Sequence, residues 1–335
     1  MIPTNILAMV SLLYLSTAAL SVAQVVFAAD DDDDESYTLP KFESSTKFFA
    51  QSDPDIDIDK VNVTDNFGLE TDKYTWQDVI SSLSSNEKLF LIQRHGEGWH
   101  NVAPSNFSQD DWDCYWQEQQ GYDGVIWADA ELTPNGVNQI QKLSQQINNT
   151  EDLPWPTRFF VSPLRRTLET WQLTWSDLKH STPLIKESAR ETYGIQTESQ
   201  RHNKSYIIDN FPGFDFEDGF TELDELWKPD SRETGQHRKY RAALLLTEIF
   251  ANTTEEDQVI SLVSHLGLIG SILDVVGHRD YPMQTGGLIP VVIHKKKKKT
   301  KTYTLDKPNK TYADVCPNPP ESISGAPSDY TTIAA

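Results

Sequence analysis

The sequence predicts an α/β fold, a three-layer α/β/α sandwich built on a mainly parallel sheet, and three observations predict it. Five short apolar runs, at 88–93, 158–162, 183–189, 259–264 and 286–294, read as buried strands, and segments of helical period separate most of them. No internal repeat interrupts that alternation. Two of the runs empty into the same pattern, His95-Gly96 after the first and His265-Leu266-Gly267 after the fourth. In a sheet covered on both faces, ligands bind at the carboxyl ends of the strands, where those histidines stand.

The ends of the chain read differently from its middle. Residues 6–20 are almost uninterrupted apolar sequence, followed by Ser21-Val22-Ala23 and Val26-Phe27-Ala28, with small residues where signal peptidase needs them. Residues 1–28 are therefore expected to be a cleaved secretory signal, although no Lys or Arg precedes the apolar run. Six N-x-S/T sequons, at Asn62, Asn106, Asn148, Asn203, Asn252 and Asn309, fit that route. The expected destination is extracellular, secreted or in the cell wall, with no stable membrane association once the signal is removed. In such an oxidising compartment Cys114 and Cys316, the only cysteines, can form a disulfide. Residues 29–60 open with six consecutive carboxylates, Asp30 to Glu35, and are expected to lack order. One domain then fills 61–312, and 313–335, rich in Pro, Ser and Thr, is expected to be a flexible tail. A net charge of −21 argues against a nucleic-acid partner, whose phosphates it would repel.

Within the domain, 76–83 reads as a short helix leading into the first strand. Residues 101–129 follow no sustained period and are expected to form a long structured loop over the site, with Trp112, Tyr115, Trp116 and Trp127 packing together. Thr133 can cap a helix that has Pro134 in its first position, and Val137, Ile140, Leu143, Ser144 and Ile147 recur at its spacing. After the second strand, SPLRRTLET (162–170) starts another helix, with Ser162 as its cap and Leu164, Leu168, Trp171 and Trp175 on one face. Its two arginines lie beside open helix amides, a natural anion site, and helix geometry does not choose between them. Residues 196–230 are irregular and acidic and read as an insertion at the substrate entrance. Helical period returns through Tyr240, Leu244 and Ile249, and again through Leu273 and Val276. The run Lys295 to Lys299 is expected to be a solvated strand end that discourages further pairing.

Two strand-end histidines, a strand-end arginine and a helix-start arginine gather positive charge without the carboxylates a metal site would bring. Phosphoryl transfer suits that set, because fixed cationic donors stabilise charge spread over three oxygens. His95 and His265 lack metal-site spacing and partners, so neither metal nor cofactor is expected.

RHGEGWHN (94–101), SPLRRTLET, ARETYG (189–194) and VSHLG (263–267), in that order, resemble the signature blocks of the histidine phosphatase, or phosphoglycerate mutase-like, superfamily. DCYWQEQQ, WADAELTPNG, DELW and TGGLIPVV resemble its fungal and plant phosphomutase-like branch more narrowly, and the similarity covers 89–293. The resemblance implies His95 as the nucleophile that becomes phosphohistidine. It implies Arg94, Arg166 and His265 as ligands of the phosphoryl oxygens, with Asn101 as a further donor. Glu191 takes the place of the proton donor and acceptor, with Glu187 and Glu198 as nearby competitors. Two departures stand out. Leu266 replaces the acid that follows the second histidine in the phytase branch, and Glu97 puts a carboxylate beside the phosphate pocket, which would weaken dianion binding unless it points away. The expected activity is a secreted, metal-independent phosphomonoesterase acting on a small phosphorylated substrate. The alternatives are a phosphomutase and an inactive binding or surface protein that keeps the fold.

Overall fold

The computed structural model describes residues 36–61, 63–176, 181–306, 316 and 320. In chain order these form β1 (Ser36–Ser44), α1 (Trp76–Ser82), β2 (Glu87–Arg94), α2 (Trp99–Val102), α3 (Gln109–Cys114), β3 (Gly121–Tyr122), β4 (Val125–Ile126), α4 (Pro134–Asn149), β5 (Arg158–Val161), α5 (Arg165–Trp175), β6 (Leu184–Ile185), α6 (Lys204–Asn210), β7 (Asp215–Phe216), α7 (Gly235–Ala251), β8 (Val259–Ser264), α8 (Leu266–Val275) and β9 (Leu288–Thr304). Seven strands make one sheet in the order β1-β9-β2-β8-β5-β6-β7, and β3 pairs with β4 apart from it. The five strands from β2 to β7 in that order run parallel, while β9 and β1 are antiparallel additions at one side.

Both faces of the sheet are buried, which explains the continuous apolar runs. Phe90 and Ile92 of β2, Ile260 and Leu262 of β8, and Ile289, Val291 and Ile293 of β9 pack with Leu245, Leu246 and Ile249 of α7 and Ile269, Ile272 and Leu273 of α8. Their alternates Leu89, Leu91, Val259, Val263, Leu288 and Val292 pack on the other face with Val79 of α1, Leu143 and Ile147 of α4, and Leu168, Trp171 and Trp175 of α5. Each such side chain contributes roughly 1.5–3 kcal/mol on burial. Pleat alternation thus assigns these buried strand residues to one helical layer or the other, and the three-layer sandwich follows.

Four expectations change. Residues 36–60 are not without order: β1 pairs with the far end of β9, and Phe42, Phe48 and Phe49 are buried. Those rings supply the apolar area that the carboxylates before them lack. The strand expected over 183–189 ends at Ile185, because the Glu187 amide donates to the Glu217 carboxylate (2.6 Å) instead of to a neighbouring strand. The acidic insertion 196–230 has regular parts, α6 and β7, and β7 extends the sheet beyond β6. Finally, the lysine run is not the end of its strand. β9 continues through it to Thr304, and the register jumps from Pro40↔Thr300 to Phe42↔Lys295, so the residues between bulge out around Lys298 at φ 58°. The sheet edge there is β1.

The loop over 101–129 holds a small core of its own, in which Ala103, Phe107, Trp112, Trp116 and Trp127 are buried together. Cys114 in α3 is disulfide-bonded to Cys316, with Cα atoms 5.3 Å apart and a sequence separation of 202. One fixed point of the C-terminal segment therefore sits on the aromatic cluster. The rest of the tail apart from Pro320, the expected signal 1–28, Asn62 and Asn309 lie outside the described residues.

Candidate active site

β2 and β8 are parallel neighbours in register, Arg94 opposite Ser264, and the His95 amide donates to the Ser264 carbonyl (3.1 Å). The next residue along each strand is a histidine, so the imidazoles of His95 and His265 come side by side with centroids 5.1 Å apart. Both are buried, at 2% and 0% exposure. His95 Nδ1 lies 2.7 Å from the Gly96 carbonyl, which can only accept. That places the proton on Nδ1 and leaves a lone pair on Nε2 of the neutral ring. Burial first, then Arg166 and to a lesser degree Arg94, hold the His95 imidazole well below its ordinary pKa.

The two arginines differ. Arg165 faces outward between Glu131 (2.6 Å) and Glu169 (2.9 Å), whereas Arg166 is fully buried. Arg166 donates Nη1 to the Glu198 carbonyl and Nη2 to its carboxylate, both at 2.8 Å, and leaves Nε without a partner. Burial raises the pKa of that carboxyl while Arg166 opposes the rise. Arg94 donates Nη1 to the Met283 carbonyl (2.9 Å), and its Nε is likewise unpaired. Its charge interacts with Glu191, which partly offsets its burial.

Glu191 is held from both sides. Oε1 accepts from the Thr192 amide (2.8 Å), and Oε2 accepts from the Gly267 amide in the first turn of α8 (3.1 Å). A Cβ on Gly267 would fall 2.2 Å from Oε1, so glycine at this position makes room for the carboxylate. The competing carboxylates are held in ion pairs: Glu187 with Arg190 and Arg201, and Glu198 with Arg166 of the site itself. Asn101 lies in α2 and is exposed, and its Oδ1 accepts from the Gly98 amide (3.0 Å). Glu97 points away from the histidines: Thr133 Oγ1 donates to one oxygen (2.6 Å) and Asn135 Nδ2 to the other (3.1 Å), at the start of α4. A surface hollow of about 550 Å³ beside the lysine bulge, lined by Pro40, Lys88, Phe250 and the bulge itself, contains none of these residues.

His95, His265 and Arg166, buried, and Arg94 and Glu191, half-buried, thus form one cluster with unpaired donors, a carboxylate fixed by two backbone amides, and Glu198 paired to Arg166. Such a group can receive an anion, present a neutral imidazole to it and exchange a proton at its edge.

The sequence pattern of the histidine phosphatase superfamily (branch 1) matches residues 113–301, more than half of the chain. The chain belongs to that superfamily. The match takes in the blocks around Arg166, Glu191 and His265, and His95 precedes it. "Phosphomutase-like protein 3" of Candida albicans is 59% identical over 298 residues, covering 89% of this chain and 94% of that protein. "Probable phosphoglycerate mutase" of Arthroderma benhamiae is 34% identical over 278 residues, covering 73% and 82%. A solved phosphoserine phosphatase of Entamoeba histolytica, in complex with 3-phosphoglyceric acid, aligns at 20% identity with a TM-score of 0.36, covering 63% of this chain and 98% of that one.

For a histidine phosphatase superfamily member, three features of this site were not signalled by its blocks. Ser162, expected as a helix cap, is not the cap: Leu164 holds that place without a side-chain bond, and Ser162 Oγ, which accepts from the Leu164 amide at 3.4 Å, is 2.7 Å from His265 Nε2. That bond turns the second histidine so that its Nδ1 is the nitrogen left unpaired. Glu198 holds Arg166 through an ion pair that no helical or strand period could reveal. His100 brings a third imidazole, its ring centroid 5.2 Å from that of His95.

Proposed function

We propose that this protein is a phosphomonoesterase that works through a phosphohistidine at His95. The observation that carries the reading is the His95 ring itself: buried, with Nδ1 committed to Gly96 and a free lone pair on Nε2, next to His265 and two arginines. Nε2 attacks phosphorus, and the bond from phosphorus to the ester oxygen breaks. Arg94, Arg166 and His265 hold the phosphoryl oxygens, and Glu191 protonates the departing alkoxide. Water then attacks the phosphohistidine, Glu191 takes its proton, and inorganic phosphate leaves with His95 restored. No metal ion takes part in these steps.

Brief incubation with a labelled phosphate ester should leave acid-labile, alkali-stable phosphate on His95, as expected of a phosphoramidate. Label stable to acid, or label retained in His95→Ala, would end the phosphohistidine reading. The mutase alternative has its support in the names of the relatives. Adding phosphoglycerates as acceptors to the labelled enzyme decides it, since a phosphatase releases inorganic phosphate and a mutase moves label to the acceptor.

Secretion belongs to the same proposal. Asn148, Asn203 and Asn252 are exposed, as acceptors of bulky glycans need to be, and Asn106 is half-buried. Endoglycosidase treatment of protein collected from the medium should increase its gel mobility, and an unchanged band would count against passage through the secretory route.

A further inference from the structure

His100 is unexplained by the proposed chemistry, yet it lies as close to His95 as His265 does, with centroids 5.2 and 5.1 Å away. It is the second residue of α2, a turn fixed by the Gly98 amide on Asn101 Oδ1 (3.0 Å) and the Trp99 amide on the Glu131 carbonyl (3.1 Å). The residue is half-buried, but its Nδ1 is inside and has no hydrogen-bond partner. Buried nitrogens in that state are uncommon and ask what ligand completes them. Three further buried nitrogens of this cluster are without a partner, His265 Nδ1, Arg94 Nε and Arg166 Nε.

Gly98 is shaped to allow this placement. Its backbone, φ −107° and ψ 163°, is extended and open to any residue, so conformation does not demand glycine. Space does: a Cβ there would lie 2.7 Å from His100 Nδ1 and 2.9 Å from Cε1. The ring is folded over its own loop into the volume a side chain would take. Burial first, then Arg166, His95 and Arg94, hold its imidazole well below the ordinary pKa.

We infer that His100 is a further ligand of the transferred phosphoryl group, donating Nδ1–H to one of its oxygens, and that Gly98 is the residue that lets it reach. The inference rests on the phosphohistidine reading and extends its oxyanion pocket to a third imidazole. Such a donor would hold the phosphoryl group in substrate, intermediate and product alike, so inorganic phosphate and orthovanadate serve as direct probes.

The test is calorimetric titration of the full-length protein with each probe. His100→Ala should weaken binding about tenfold or more, the range expected for a hydrogen bond to a charged group. His100→Asn, whose amide nitrogen can stand where Nδ1 stood, should recover most of that loss, whereas His100→Gln should not. Gly98→Ala should weaken binding in the wild-type background, because the methyl group displaces the ring. In the His100→Ala background it should add little beyond the effect of the Glu131 carbonyl, 3.2 Å from the new carbon. Wild-type affinity in His100→Ala with an unchanged melting temperature overturns the inference. Should that variant not fold, equal affinity of His100→Asn and His100→Gln, or of Gly98→Ala and wild type, overturns it as well. The outcomes separate from the parent reading: a wild-type protein that neither hydrolyses an aryl phosphate nor binds either anion refutes the phosphatase assignment, while one that does both, with His100 replaceable, refutes only the role of His100.

Discussion

Replacing His95 with alanine should lower kcat for an aryl phosphate by about five orders of magnitude, the scale on which loss of a nucleophile is felt. An activated aryl ester needs little help from a general acid, so its hydrolysis isolates the step in which Nε2 meets phosphorus. The variant should still fold, because the contacts that place residue 95 are made by its backbone: its amide on the Ser264 carbonyl and its own carbonyl receiving the Gly286 amide (2.8 Å). The same experiment in the wild type tests the electrostatics. A histidine whose pKa is lowered stays neutral, and nucleophilic, below the ordinary imidazole value of about 6.5. Burial, Arg166 and Arg94 all push His95 that way, so turnover of the aryl ester should persist below pH 6.5 instead of falling with a midpoint there. The assay is run from about pH 4 to pH 8 with a chelator present. Equal rates for wild type and His95→Ala would remove His95 from the chemistry. An acid limb centred at 6.5 would show that the arginines and burial do not govern its protonation.

What the sequence disclosed about this site follows from how local each relation is. Arg94, His95 and His265 were legible because each closes a short apolar strand, and two parallel strands in register must bring their ends together. Arg166 was only half legible: the first turn of α5 offered two arginines, and the interior position of one depends on Glu198, 32 residues on. Ser162 misled for a related reason. Three residues ahead of a helix, a serine reads as a cap, but the neighbour that claims it is His265, 103 residues away across β5 and β8. The strand β1 was hidden because its partner is the last strand of the sheet and its own surroundings are acidic. Glu97 was visible but not interpretable, since only the packing of α4 against the loop shows that Thr133 and Asn135 draw its charge away from the anion pocket. His100 stood in plain sight inside RHGEGWHN, and the clue was the glycine two residues before it. A glycine in extended backbone has no conformational reason to be there, and a Cβ on it would meet the His100 ring and the Glu131 carbonyl.

Glu191→Gln should separate leaving groups. A glutamine keeps the size of the side chain, and its carbonyl oxygen can still accept from either the Thr192 or the Gly267 amide, so the loop and the start of α8 should hold. Its amide nitrogen cannot accept from the other amide, which makes a modest loss of stability part of the expectation, on the order of 1 kcal/mol for one hydrogen bond. What glutamine lacks is an exchangeable carboxyl proton. For an alkyl phosphate, whose alkoxide leaves only with a proton, kcat should fall by about a hundredfold to ten-thousandfold, the usual contribution of general acid catalysis. For an aryl ester with an acidic phenol the departure step needs no such help, and any loss there reports the second step, in which the carboxylate takes a proton from water. The phosphoenzyme should then accumulate in the variant, and its acid-labile label should rise as turnover drops. Equal losses on alkyl and aryl esters without accumulation would move the proton transfer to another group. Glu198 is the first candidate, since it is the other carboxylate on the cluster and its pKa is already raised by burial. Replacing Glu198 with glutamine distinguishes the two: as the partner of Arg166 its loss should weaken phosphate binding on every ester alike, whereas as the acid it would reproduce the dependence on leaving group predicted here for Glu191.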